Sequence, residues 1–189
     1  MKPDHFALLD QLRRPWLDDA ALKDAFHRAT AQCHPDVAGD DGEKSAALNA
    51  AYAVLRDPSS RLKHLLELEW PGPAPSPGAI PPHLGTTFGR IAETRQRGRD
   101  LAAKEAAAQS PLARALLAGD RATYRRDLEA TVGALAETET AALEDLRQLD
   151  ALWEQRDEAM RDRLAAAQQH FAYLAKWQAQ LREELFRLG

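Results

Sequence analysis

Residues 19–55 read DAALKDAFHRATAQCHPDVAGDDGEKSAALNAAYAVL, and this stretch decides the fold of the N-terminal part of the chain. A first apolar stripe at helical spacing is formed by Leu22, Phe26, Ala29 and Cys33. Pro35 disfavours helical geometry at His34, so the first helix is expected to end there. A polar loop is predicted over Val37–Gly42, and a second apolar stripe follows at Leu48, Ala51, Tyr52 and Leu55. The pattern predicts an antiparallel helix pair with His34-Pro35-Asp36 at its tip.

Shorter helices are predicted on both sides of this pair. Upstream, helical spacing at Phe6, Leu9 and Leu12 is followed by a break at Arg13-Arg14-Pro15, and Asp18 is a candidate N-cap for the next helix. Downstream, Asp57-Pro58 can open a further helix, because proline is favoured at the first helical position. Residues 1–68 are therefore predicted to form one small helical domain.

A proline-rich segment from Glu69 to His83 marks the clearest boundary in the chain. Six of the 11 prolines in the whole sequence lie in this segment, at positions 71, 73, 75, 77, 81 and 82. Proline fixes φ and removes a hydrogen-bond donor, so the segment is predicted to be an extended spacer over residues 69–83. The alternative is a surface loop inside one larger domain.

Residues 84–189 are predicted to form long helices. One is expected from about Thr87 to Ala108, and Ser110-Pro111 resembles the start of another. A seven-residue apolar repeat then runs through Leu128, Leu135, Ala142 and Leu149, and a second through Leu146, Trp153 and Met160. Such amphipathic helices need partners, so a helical hairpin or three-helix bundle is expected, with a break near Asp150. The predicted fold class is all-α.

Composition excludes several classes of function. The net charge of −4 gives no support for nucleic-acid binding, and no apolar run is long enough to span a membrane. The single cysteine, Cys33, cannot form an internal disulfide, which is consistent with a reducing compartment and predicts a cytoplasmic protein. Cys33 lies on the apolar stripe and is interpreted as a core thiol. No metal site, cofactor or catalytic dyad is predicted, so no enzymatic activity is expected.

The N-terminal part resembles the J-domain family of co-chaperones. The resemblance rests on stretches in family order over about Asp4 to Leu68, which read HFALL at 5–9, LKDAF at 22–26, HPD at 34–36, LNAAY at 48–52 and LRDP at 55–58 with Arg61. Residues 6–18, with Pro15-Trp16-Leu17-Asp18, and residues 61–68 are similar to the HscB (Hsc20) branch. That branch pairs a J domain with a C-terminal three-helix bundle, and residues 171–188 also resemble its last helix.

The resemblance implies a protein partner rather than a substrate. In this family His34-Pro35-Asp36 would dock on a DnaK-class chaperone, HscA-like or general, and favour its ATP-hydrolysing state. Asp36 offers a carboxylate that an arginine can hold in a bidentate pair. The other residues that the resemblance assigns to this contact are Lys23, His27, Arg28, Asn49 and Arg61. Val37 stands where a basic residue is usual, which predicts a weaker cationic contact.

The resemblance also implies that a client, possibly the iron–sulfur cluster scaffold, binds the first helix of the C-terminal part. The candidate client-binding residues are Phe88, Ile91, Glu93 and Arg95. The family has an acidic and apolar helix there, whereas this helix carries Arg90, Arg95, Arg97 and Arg99. Two alternatives therefore remain open: an adaptor for another client, or a helical scaffold protein whose J-like domain no longer activates a chaperone.

Overall fold

The described part of the chain is predominantly α-helical. The computed structural model describes residues 3–32, 41–72 and 84–188, and these ranges contain no β-strand. The helices are α1 (His5–Leu8), α2 (Asp19–Ala31), α3 (Asp41–Arg56), α4 (Pro58–Glu69), α5 (Gly85–Ala107), α6 (Pro111–Leu116), α7 (Ala118–Ala151) and α8 (Glu158–Leu188). The predicted all-α fold class is confirmed. His34-Pro35-Asp36, Cys33 and most of the predicted proline spacer lie outside the described residues.

Side-chain caps start the helices where the sequence predicts them. The carboxylate of Asp18 accepts a 2.8 Å hydrogen bond from the Ala21 amide, and that of Asp57 accepts one of 2.7 Å from Ser60. The Ser110 hydroxyl accepts a 3.1 Å bond from the Ala113 amide. Each cap satisfies a backbone donor that the first helical turn cannot pair internally, so local chemistry sets these boundaries.

Some boundaries differ from the prediction. Helix α1 ends at Leu8, and Asp10 adopts a φ of 51°, so Leu12 leaves the apolar stripe and is 74% exposed. An aspartate tolerates this left-handed conformation better than most residues, which explains the early stop. Helix α3 begins at Asp41, which shortens the loop predicted to reach Gly42.

The described residues divide into two compact units. The first comprises those within Met1–Pro77 together with Ala142–Phe171, and the second comprises those within Gly78–Ala141 together with Ala172–Gly189. The long helices α7 and α8 contribute to both. The units therefore cut across the predicted domains 1–68 and 84–189, because residues 142–171 pack with the N-terminal helices, and that sequence-based division stays a prediction.

The core of the first unit is formed by the predicted stripes of the N-terminal helices and by the adjoining parts of α7 and α8. Its fully or almost fully buried apolar side chains include Phe6, Leu9, Leu22, Leu48, Ala51, Leu55, Leu62, Leu65, Leu146, Trp153 and Leu164. Burying one large apolar side chain contributes about 1.5–3 kcal/mol. Among these N-terminal helices, α3 packs against α1, α2 and α4.

The second unit buries the apolar seam of α5, α7 and α8. Its core side chains include Ile91, Leu101, Tyr124, Leu128, Leu135, Leu174, Trp177 and Leu181. Gly98 of α5 permits a close helix approach, since a β-carbon there would overlap the Tyr124 hydroxyl and the Glu184 carboxylate. Burial raises the pKa of Tyr124, so its neutral hydroxyl is the species packed at this junction.

A histidine pair ties α1 to α4 in the first unit. The backbone N–H of His5 donates a 3.1 Å hydrogen bond to Nε2 of His64, and the two imidazole rings lie 4.5 Å apart. His64 is only 7% exposed. Burial, followed by the neighbouring His5, lowers the pKa of His64 below 6.5. The neutral ring therefore serves as the hydrogen-bond acceptor that helps to start α1.

We expect acidification from about pH 7.5 to 5.5 to destabilise the first unit. Because the pKa of His64 is lower in the folded state than its ordinary value of 6.5, the unfolded state binds more protons as the pH falls through this window. The contribution of His64 to the free energy of unfolding is therefore fully present above its ordinary pKa. It is lost as the pH falls toward the lower pKa that His64 has in the folded state. Urea midpoints measured across this range should fall.

The His64→Gln variant provides the test, because glutamine can still accept the His5 bond but does not titrate. Its urea midpoint should vary less with pH than that of the wild type. His27→Gln removes an exposed histidine and should keep the wild-type pH dependence. Equal pH dependence in all three proteins would contradict the role assigned to His64.

Candidate functional site

The predicted chaperone-binding residues of α2 lie on its exposed side. Lys23, His27 and Arg28 are all exposed, whereas Leu22 and Ala25 are buried. The helix thus presents cations on one side and packs with the other. His34, Pro35 and Asp36 follow in the chain outside the described residues, and their role stays a prediction.

Helix α2 is held on α3 by an aromatic pair. The rings of Phe26 and Tyr52 stack with centroids 4.5 Å apart, and the Arg56 guanidinium lies 5.9 Å from the centre of the Tyr52 ring. Asn49 is exposed on α3, and its side-chain amide donates to the carbonyl of Ser45 at 2.9 Å. Asn49 is accessible, and its predicted contact with the chaperone remains a prediction.

Arg61 is buried, although the sequence resemblance assigns it to the contact with the chaperone. It is 2% exposed. Its Nε donates to the Pro15 carbonyl at 2.9 Å, and one terminal nitrogen donates to the Leu55 carbonyl at 2.7 Å. Burial lowers its pKa to about 10, so it remains charged at neutral pH. A buried guanidinium that bonds backbone carbonyls serves a structural role, and the contact of Arg61 with a chaperone stays a prediction.

The segment before α2 is anchored by residues that the sequence analysis did not single out as functional. The carboxylate of Asp150 accepts bonds of 3.1 and 2.6 Å from Arg14 and one of 3.2 Å from the Trp16 amide. The indole of Trp153 donates to the Arg13 carbonyl at 2.7 Å. These contacts fix residues 13–16 directly ahead of the helix that carries Lys23.

A second anchor is centred on Glu69 at the end of α4. Its carboxylate oxygens pair with Arg13 at 3.2 Å and with Arg156 at 2.8 Å. Trp70 packs edge-on against Trp153, with ring centroids 5.9 Å apart. No local periodicity could have revealed these pairs, since their members are far apart in sequence.

The predicted client-binding residues of α5 divide between surface and core. Phe88 is 45% exposed, and its ring lies 6.3 Å from that of the buried Trp177. Glu93 is exposed as well. Ile91 is only 3% exposed and packs in the core of the second unit. Its predicted contact with a client stays a prediction.

Most of the arginines on α5 form bonds within the second unit. Arg95 donates to the side chain of Gln180 at 3.2 Å and lies 4.0 Å from the Glu184 carboxylate. Arg97 pairs with Asp127 at 2.6 Å, and Arg99 bonds to Gln96 within the helix. Acidic partners within the chain therefore offset the charges of Arg95 and Arg97, whereas the neutral Gln96 leaves the charge of Arg99 in place.

Two further observations concern metals and membranes. Within the described ranges, no group of three or more His, Cys, Asp or Glu residues could hold a metal ion. Among the helices of those same ranges, none is both long and apolar enough to cross a bilayer.

Sequence comparison finds co-chaperones among the proteins similar to this chain. The chain is 41% identical over 76 residues to an HscB co-chaperone homologue of Burkholderia vietnamiensis, a match that covers 36% of this chain and 43% of the relative. It is 38% identical over 52 residues to the mitochondrial J-type co-chaperone JAC1 of Saccharomyces cerevisiae, which covers 28% of each chain. The matched segment thus spans less than half of these relatives. No family model matches the chain.

Structural comparison extends the likeness over almost the whole chain. The crystal structure of the human co-chaperone protein HscB superimposes with a TM-score of 0.57 at 18% identity, covering 96% of this chain and 81% of the human chain. The fold and the matched segment confirm the predicted resemblance to the J-domain co-chaperones. Within that class, the resemblance is to the HscB branch, with a J domain and a C-terminal helical bundle.

Proposed function

We propose that this protein is a co-chaperone that stimulates the ATPase of a DnaK-class chaperone and delivers a client to it. The observation that carries the proposal is the exposed face of α2, where Lys23 and Arg28 precede His34-Pro35-Asp36 in the chain. The resemblance to HscB-type co-chaperones assigns the same tripeptide and helix to the chaperone contact. We propose a cytoplasmic site of action, as the sequence predicts.

The proposed activity needs no chemistry from this chain. A co-chaperone that binds the hydrolysis-competent state of its partner more tightly than the resting state shifts the partner toward hydrolysis. The Asp36 carboxylate would supply a charge-assisted bond to an arginine of the chaperone. The cations of α2 would add a longer-range attraction that salt weakens. The protein is accordingly proposed to be a binding protein without a cofactor.

For the client, we propose the iron–sulfur scaffold protein, bound at α5. The arginines of α5 stand against this role, because they would repel a scaffold suited to an acidic helix. The acidic partners of Arg95 and Arg97, Glu184 and Asp127, weaken that objection. The half-exposed Phe88 supplies an apolar contact of the kind that anchors protein interfaces.

The chaperone part of the proposal is tested by single-turnover ATP hydrolysis. The full chain is added to the purified DnaK-class chaperone of the same cell, and the hydrolysis rate is measured against the concentration of co-chaperone. A saturable increase in rate would support the proposal. No increase with either an HscA-like or a general DnaK-class partner would leave the inactive J-like domain as the explanation.

We expect Phe88→Ala to weaken scaffold binding by at least roughly tenfold, because a buried aromatic anchor commonly contributes 2 kcal/mol or more to an interface. Binding is measured by calorimetric titration of the full chain with the purified scaffold protein of the same cell. Phe186→Ala is the matched control, since Phe186 is 86% exposed on α8 of the same unit. Equal losses in both variants would show that Phe88 is not the anchor.

A further inference from the structure

A small cavity lies between α5 and α7 within the second unit. Its volume is about 100 Å³, and its walls combine the apolar Ile91, Ala134 and Leu135 with the polar Thr86, Thr87, Arg90, Thr131 and Thr138. Among the described residues, no acidic side chain lines it. Pockets for drug-sized ligands are about 300–1,000 Å³, so this cavity has room for the tip of one polar side chain only.

The polar groups at the mouth of this cavity differ from their neighbours in having no partner. Within the described part of the chain, neither the Arg90 guanidinium nor the hydroxyls of Thr86 and Thr87 form a hydrogen bond or ion pair. The deeper hydroxyls are already bonded, since Thr131 donates to the Asp127 carbonyl at 2.8 Å and Thr138 to the Ala134 carbonyl at 2.8 Å. The donors left for a ligand are therefore one cation and two hydroxyls.

This set of groups fits a carboxylate. A guanidinium holds a carboxylate through two parallel hydrogen bonds, and hydroxyls can donate to the remaining lone pairs. An ammonium group would meet the Arg90 charge and find no compensating acid among the lining residues. An apolar tip would remove the unpaired hydroxyls and guanidinium from water without replacing their bonds.

We infer that this cavity receives an aspartate or glutamate side chain of the client. The inference rests on the proposed function and adds the chemistry of the partner: an acidic side chain that meets α5 where it faces α7. Phe88 is two residues from Arg90, about 200° around the helix axis, so its ring beside Trp177 forms a separate contact. The client surface would thus be recognised by an arginine rather than by the acidic helix that the sequence resemblance implies.

A carboxylate probe tests the cavity without any client. Titration of the ¹⁵N-labelled full chain with sodium succinate, at constant ionic strength, should give saturable shifts of the Thr86, Thr87 and Thr138 amides and of the Arg90 Nε–H. Arg90→Gln should weaken this response by roughly tenfold. Arg97→Gln is the matched control, because it removes one arginine of α5 that pairs with Asp127 away from the cavity. Unsaturable shifts, or equal losses in both variants, would overturn the inference.

Titration with the scaffold protein separates the two proposals. If the wild type binds the scaffold, Arg90→Gln should lose roughly tenfold in affinity while Arg97→Gln stays within about twofold. Unchanged affinity in Arg90→Gln would overturn the cavity inference and leave the proposed function standing. If the wild type does not bind the scaffold, the proposed client is wrong, and the succinate titration alone decides whether the cavity takes a carboxylate.

Discussion

Asp36→Asn is expected to abolish stimulation of the chaperone ATPase, with a loss of at least roughly tenfold in the stimulated rate. The substitution keeps the size of the side chain and removes only its charge. A hydrogen bond to a charged group contributes about 1.5–3 kcal/mol, and about 1.4 kcal/mol corresponds to a tenfold change in an equilibrium. The rate is measured in single turnovers with a fixed amount of chaperone. The circular dichroism spectrum should stay helical and unchanged.

Asp162→Asn is the matched control for this experiment. Asp162 is an exposed residue of α8 that lies beside Arg161, so the variant makes the same chemical change away from α2. It should stimulate hydrolysis like the wild type. If Asp36→Asn also keeps full stimulation, His34-Pro35-Asp36 is not the chaperone contact. The hypothesis that the N-terminal domain is a functional J domain would then be wrong.

Short-range chemistry accounts for what the sequence predicts correctly. Asp18, Asp57 and Ser110 each cap a helix, because a side-chain oxygen ahead of an apolar stripe satisfies a free backbone donor wherever the helix later packs. The seven-residue repeats likewise identify buried residues such as Leu128 and Leu146. These features depend on neighbours within about two turns, which the sequence itself displays.

Long-range pairing accounts for what the sequence does not predict. Asp150 marks the predicted helix break, yet its carboxylate also holds Arg14 and Trp16 from the N-terminal segment. The resemblance makes Ile91 a candidate for client binding, yet its side chain is buried in the core of the second unit. Neither outcome follows from periodicity, because each depends on which distant helix fills the space above the residue.

Arg61→Met is expected to destabilise the first unit by about 3 kcal/mol. The guanidinium is buried and bonds the carbonyls of Pro15 and Leu55. Methionine fills similar space but donates nothing, and each buried carbonyl left without a partner costs about 1–3 kcal/mol. The free energy of unfolding, measured in urea, should fall accordingly. Arg61→Lys should restore only part of the loss, because an ammonium lacks the planar fork that reaches both carbonyls.

The comparison of stability with activity distinguishes the two roles of Arg61. Arg163→Met, at an exposed arginine of α8 in the first unit, is the matched control and should change the free energy of unfolding by less than about 0.5 kcal/mol. If Arg61 is structural, Arg61→Met loses stability, and the fraction that remains folded at low temperature stimulates the chaperone normally. If stimulation falls while the urea midpoint stays at the wild-type value, Arg61 contacts the chaperone as the sequence resemblance implies. In that case the buried guanidinium must leave its carbonyls on binding, and the anchored segment 13–16 would have to move with it.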